Sequence, residues 1–287
     1  KPKDGPAPVV PSGAAPAMVS GATNRAVTIG PVAGTSTRYG LFIDGAVTGN
    51  GLYSGVDAQG VVIGGRGGTV SITNGMSVAG TITASSNGAS ATALRLGSGA
   101  SVPLAHVSGT VSAAGGNASG ARATAIQIDA GASLPTLRNS GTIKATAAGT
   151  SGSASAIVDL SGGLGLIENS GTISATGAEA TSGRNIAIDL AANTLGATVK
   201  QTAVGAGITA PSITGDVRFG SGNDVLDVAD GTVKGDVYSG AGNNTLKLSG
   251  DAVQTGKVVF GAGLDVLGLA GSSRFVGTVD FGGGAGT

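Results

Sequence analysis

Between residues 138 and 176 the chain writes nearly the same phrase twice, RNSGTIKAT and then ENSGTISAT, thirty residues apart. Two fainter copies precede them, SVAGTITAS and AHVSGTVSA, so that Gly-Thr pairs begin at Gly80, Gly109, Gly141 and Gly171, spaced 29, 32 and 30. Short β-branched runs joined by small-residue turns, repeated at that interval, are the mark of a solenoid. After each Gly the second and fourth residues are apolar: Ile82 and Ala84, Val111 and Ala113, Ile143 and Ala145, Ile173 and Ala175. Hydroxyls or Lys144 stand between them, and period two with one apolar face describes a half-buried strand. No single repeat could bury that face. Stacked repeats bury it as a continuous inner ladder, with rungs about 4.8 Å apart, and the reading is a right-handed parallel β-helix with rungs of about 20–32 residues.

Composition agrees with a thin aliphatic core. Of 287 residues 55 are Gly and only 3% are aromatic, too little bulk for an ordinary globular interior. Lys plus Arg equals Asp plus Glu at 16 each, and no basic run occurs, so nucleic acid is not an expected partner. Without cysteine there is neither a disulfide framework nor a thiolate metal site.

Residues 1–19 are Pro-rich and read as an extended leader or linker. Residues 20–76 carry irregular first rungs or a cap, and 77–210 hold the regular copies. The tracts at 85–92, 114–123 and 146–154 are almost entirely Gly, Ala, Ser and Thr, loops that should emerge on one side but offer few groups for binding. From 211 to 287 the period shortens: GDVRF, GDVYS, GKVVF and GTVDF start at Gly215, Gly235, Gly256 and Gly277, spaced 20, 21 and 21, with bulkier inward residues such as Phe219, Phe260 and Phe281. This end is expected to be the most stable, and GGGAGT breaks off in mid-repeat, which points to a longer natural chain.

The NSGTI and SGTV copies, the GSGNDVLDV and GAGNNTLKL rungs and the neutral Cys-free composition resemble the passenger domain of a type V autotransporter of the self-associating or adhesin-like kind, over about residues 26–287. The resemblance implies a Gram-negative cell-surface protein, outer membrane-anchored or secreted, joined in its own chain to a membrane barrel. Partners would be a host or abiotic surface, glycans, or identical passengers on neighbouring cells.

Several residues invite chemistry. His106 occupies the position held by Arg138 and Glu168 in later copies, which suits a solvent-facing side chain rather than a base. No GDSGS-like turn is present for a serine protease. Asp129, Asp159 and Asp189 recur at thirty and thirty, each after an aliphatic expected to face inward, Ile128, Val158 and Ile188; if they stack outward, they form a carboxylate column that calcium could bridge, although Asp also caps turns. Lyase chemistry would need arginine or lysine nearby, and no basic column accompanies these rungs. FGSGNDVLD partly matches a calcium-binding nonapeptide with Asp224 as ligand, but its copies lie about twenty residues apart and Asn244 replaces Asp in the second. An outward surface of Thr81, Thr110, Thr142 and Thr172, with Asn139 and Asn169, would supply weak hydrogen bonds. An ice-binding face would need more Thr-x-Thr ladders than the one at Thr81 and Thr83. The expected function is therefore non-enzymatic adhesion or self-association, without catalytic residues or a required cofactor; the competing readings are a polysaccharide-acting enzyme and a passive stalk.

Overall fold

The computed structural model describes residues 8–33, 38–116 and 118–286. Every strand pairing within the described sheets is parallel, and each turn of the chain visits three long sheets in the same order. In one rung, Thr136–Asn139 lies in sheet one, Thr142–Ala147 in sheet two and Ser153–Asp159 in sheet three; the next rung repeats this with Leu166–Asn169, Thr172–Thr176 and Asn185–Asp189. Sheets one and three contain ten strands and sheet two contains nine, making the right-handed parallel β-helix that the repeat predicts.

The register is the one the Gly-Thr copies imply. Ile82, Val111, Ile143, Ile173, Ile213 and Val233 stack in line on sheet two, all fully buried. Leu137, Ile167, Val199, Leu226 and Leu246 do the same on sheet one, and Leu94, Ile126, Ile157, Ile188, Val217 and Val237 on sheet three. Each such side chain contributes about 1.5–3 kcal/mol on leaving water. The three columns meet along one axis, so little aromatic bulk is required.

The change of period is a change of loop. In the long rungs the connection from sheet two to sheet three carries the small-residue tracts, whereas in the short rungs Thr232–Lys234 passes through Gly235 almost directly into Val237–Gly240. The two families of repeated glycine therefore sit at different corners. Gly80, Gly109, Gly141 and Gly171 precede sheet two; Gly215, Gly235, Gly256 and Gly277 precede sheet three. At both corners rungs touch backbone to backbone. A Cβ on Gly141 would lie 2.1 Å from the Gly109 carbonyl oxygen, and one on Gly256 would lie 2.2 Å from that of Gly235, where φ is also +134°.

The start of the chain departs from the leader expected over 1–19. Residues 1–7 lie outside the described residues, but Val9 and Ser12 bridge to Val47 and Asn50, and Met18–Ser20 pairs with Val61–Ile63. Proline did not prevent this because Pro8, Pro11 and Pro16 alternate with residues whose N–H groups do reach the ladder, as Val9 does to Ala46 and Ala17 to Gln59. This half-rung lies over the first complete rung. A small accessory sheet of Val27–Ile29, Val70–Ile72 and Ala100–Ser101 gives the early rungs a fourth side. At the far end Phe260 and Phe281 stack with ring centroids 5.1 Å apart, while Leu267, Phe275 and Val279 are only partly covered.

Gly141→Ala should therefore force rungs apart and destabilise the chain by about 1–3 kcal/mol. Gly205→Ala, where an added Cβ meets nothing within 4 Å, should leave the thermal midpoint within about one degree. Thermal unfolding followed by circular dichroism compares the two; equal midpoints would sink the close-approach account.

Candidate functional site

The expected carboxylate column does not form. Sheet three advances 31 residues per rung, from Ile126 to Ile157 to Ile188, whereas the aspartates advance 30, so each one slips back a residue against the rung before. Asp159 stands in register with Ile128, and Asp189 with Val158. The slip turns their side chains to different places. Asp129 faces outward, and its Oδ2 accepts from Arg95 Nε at 2.8 Å and Nη2 at 2.7 Å, while Oδ1 accepts from Gln127. Asp159 is 1% exposed and caps the turn that follows it: Oδ1 accepts from the backbone N–H and hydroxyl of Ser161, Oδ2 from the N–H of Leu164. Asp189 accepts from the Ala191 N–H. Val158, expected inward, points outward beside Gln127. Among the described residues no three His, Asp or Glu side chains converge as metal ligands would.

Asp224 belongs to a buried polar stack at the corner before the sheet-one strands. Its Oδ1 accepts from the N–H of Ala197 in the preceding rung at 2.7 Å; Asn244 Oδ1 accepts from the Asp224 N–H at 3.0 Å, and Asp265 Oδ1 from the Asn244 N–H at 2.8 Å. Each side chain thus serves the rung below. Asn244 uses its other end as well, donating to the carbonyls of Gly240 and Gly242. Asp224 has no such second use: Oδ2 is buried without a partner, and burial pushes its pKa up to about 6, against the hydrogen bond from Ala197. The Asp that resembled a calcium ligand is a corner brace.

Asn139 and Asn169, expected on the binding surface, are buried at 2% and 0%. Asn139 Nδ2 donates to Asn169 Oδ1 at 2.8 Å, and Asn169 Nδ2 donates to Gln201 Oε1 at 3.1 Å, an amide ladder inside the corner between sheets one and two. The sequence signal was available, because Val78 and Val107 hold this position in the earlier copies, and a site shared by Val and Asn faces inward.

The threonines do lie together on the outer face of sheet two. Thr81, Thr110, Thr142, Thr172, Ser212 and Thr232 form one column in consecutive rungs. Two residues along, Thr48, Thr83, Ser112, Lys144, Ser174, Thr214 and Lys234 form a second. Thr83 donates to Thr48 at 2.9 Å, but the hydroxyls of Thr81, Thr110 and Thr142 make no hydrogen bond within the described chain. Spacings of about 4.8 Å between rungs and about 6.7 Å along each strand set these groups out as a regular grid.

On sheet one the position of His106 continues outward through Arg138, Glu168, Lys200, Asp227 and Lys247, with charge alternating from Arg138 onward. Arg138 Nε meets Glu168 Oε2 at 2.6 Å. Burial, and secondarily the Arg138 charge, lower the His106 pKa, and its Nε2 lies 3.2 Å from the Ser140 hydroxyl. Among the described residues no carboxylate hydrogen-bonds to His106 to orient it as a base.

A feature absent from the sequence reading lies above sheet three, where loops of three successive rungs enclose a cleft of about 410 Å³. Arg122, Arg184 and Arg218 line it together with Asp189, which stands in register with Arg218, although no basic column was expected beside these rungs. Arg122 and Arg184 share one repeat position two rungs apart, with Ser153 between them, whereas Arg218 ends a sheet-three strand at another position.

Acidification should act on Asp224 and His106 in opposite senses. The folded pKa of Asp224 lies above its unfolded value, so its stabilising contribution is full below about pH 4 and is lost as pH rises through about 6. That of His106 lies below its unfolded value, so its contribution is lost as pH falls below that of a free histidine. Asp224→Asn, which can donate to the Gly220 and Gly222 carbonyls as Asn244 does to their counterparts, should raise the melting temperature at pH 7 and remove part of the pH dependence between 4 and 6. The scale is about 1.4 kcal/mol per unit of pKa difference. A lower melting temperature for this variant at pH 7 would contradict the brace.

Compared with known proteins, the chain matches no family model, no curated protein and no solved structure.

Proposed function

We propose that the chain is a non-enzymatic cell-surface passenger of the autotransporter kind, acting in adhesion or self-association through the hydroxyl grid of sheet two. The observation that carries this is the run of in-register threonine and serine columns whose hydroxyls are left largely unused by the chain itself. Each hydroxyl can donate and accept, so a second copy of the same grid is a competent partner, as is a hydroxylated or hydrated surface. Single contacts of this type are weak. A stiff rod that presents many at fixed spacing gains avidity from their number. Overall neutrality removes the long-range repulsion that would hold two copies apart.

The site geometry supports the non-catalytic side of the reading. Glycoside hydrolysis ordinarily uses two carboxyl groups facing across the bond to be cut. Asp129 is committed to Arg95, and Asp159 is buried in its turn, leaving Asp189 as the only acid lining the large cleft.

Replacing Thr81, Thr110, Thr142 and Thr172 together with Val keeps β-branched side chains and removes only the hydroxyls. Beads coated with this variant should clump and settle on glass at least several-fold less than beads bearing the unaltered chain at equal density. Undiminished clumping and attachment, with the β signature intact by circular dichroism, would remove sheet two from the mechanism.

A further inference from the structure

The cleft above sheet three has a different chemistry from the grid. Arg122 opens the strand Arg122–Ile128 and is exposed; among the described residues its side chain has no hydrogen bond or ion pair. Arg184 precedes Asn185, which stands in register with Ala154, and Arg122 stands in register with Ser153, so the two arginines lie two rungs apart along one line. Arg184 donates through Nη2 to the Thr150 carbonyl at 2.5 Å and through Nη1 to that of Ser151 at 3.4 Å. Its Nε is buried without a partner. Arg218 donates to the Gly183 carbonyl at 2.6 Å, fixing the loop that carries Arg184, and only reaches Asp216 at 3.7 Å. Neutral carbonyls hold the Arg184 guanidinium in place without cancelling its charge, whereas Asp216 partly offsets that of Arg218. Asp189 is the single acid in the lining, with its Oδ1 taken by the Ala191 N–H.

We propose that this cleft binds a carboxylate-bearing sugar unit of an acidic polysaccharide, with Arg122 and Arg184 as its anion ligands and Arg218 as a positioning residue. A guanidinium matches a carboxylate in shape and can meet it with two parallel hydrogen bonds. The volume lies within the range of small-molecule sites, and hydroxyls of Ser153 and Ser155 on the floor suit the remaining polar groups of a sugar ring. Successive acidic units of one polymer can meet guanidinium groups two rungs apart. Nucleic acid fits less well: no aromatic side chain lines the cleft to stack a base, and three cations make too short a track for a phosphate backbone. The inference is independent of the sheet-two reading, since the two sites use different sheets.

The test is binding of the soluble chain to immobilised polygalacturonate, with neutral dextran, dextran sulfate and double-stranded DNA as comparison polymers, at low and moderate salt. Polygalacturonate is expected to be retained well above dextran and above DNA. Arg122→Gln should weaken that binding about fivefold or more, and Arg122→Gln with Arg184→Gln should abolish it, while Arg95→Gln should not change it. Arg122→Gln removes no hydrogen bond or ion pair among the described residues, and an unchanged thermal midpoint by circular dichroism separates its effect from misfolding. Polygalacturonate retained no better than dextran, an unaltered affinity in Arg122→Gln, or stronger binding of DNA or dextran sulfate than of polygalacturonate would each overturn the proposal.

Discussion

The whole structure hangs on the hydrogen-bonded contact between one rung and the next. A β-strand in this chain is two to seven residues long and would be unstable alone, and its apolar face is only a few side chains wide. Parallel pairing in register supplies both missing terms at once: the backbone groups of each rung are satisfied by the rungs on either side, and each inward Ile or Leu finds the same kind of residue above and below. The corners limit how close this contact can be. At Gly80, Gly109, Gly141 and Gly171 the carbonyl of one rung occupies the space where the next would place a Cβ, which is why glycine is written into every copy.

Polar groups inside such a column are tolerated when they too follow the repeat. The Asn139, Asn169 and Gln201 amides and the Asp224, Asn244 and Asp265 stack are vertical structures, each member bonded to its neighbour one rung away. They satisfy backbone or amide groups at turns where the sheet ladder is interrupted, and their cost falls on the few acceptor atoms left over, such as Asp224 Oδ2 and Asp265 Oδ2. Charge on the outside obeys the same geometry: Arg138, Glu168, Lys200, Asp227 and Lys247 alternate because neighbours in that column are about 4.8 Å apart, where like charges repel.

How much could be read beforehand depended on whether a residue keeps step with its rung. Ile82, Val111, Ile143 and Ile173 keep step through Gly-Thr anchors just upstream, so their alternation gave sheet two, its inward ladder and its outward threonines correctly. Asp129, Asp159 and Asp189 are equally regular in sequence, yet they run one residue short of sheet three because turn lengths differ between copies. A period measured on one side of a solenoid does not transfer to another side. The arginine cleft was invisible for a further reason: Arg122 and Arg184 share a line but Ser153 stands between them, Arg218 holds another position, and loops of unequal length hide the alignment. The Pro-rich start misled in the opposite direction, since proline removes a donor only at its own position and the residues between can still pair.

The short C-terminal rungs have a property that the looped half lacks. Gly235 receives Gly256 much as Gly256 receives Gly277, and the strands before and after each present matching faces. A unit of this kind is an interchangeable cassette. Duplicating or deleting one by recombination leaves both new neighbours with surfaces they already fit, so the length of the rod is free to drift between lineages. The looped rungs, in which Arg122, Arg184 and Arg218 line one cleft from different rungs, do not interchange in this way, and the molecule joins a part with an adjustable reach to a part with a fixed one.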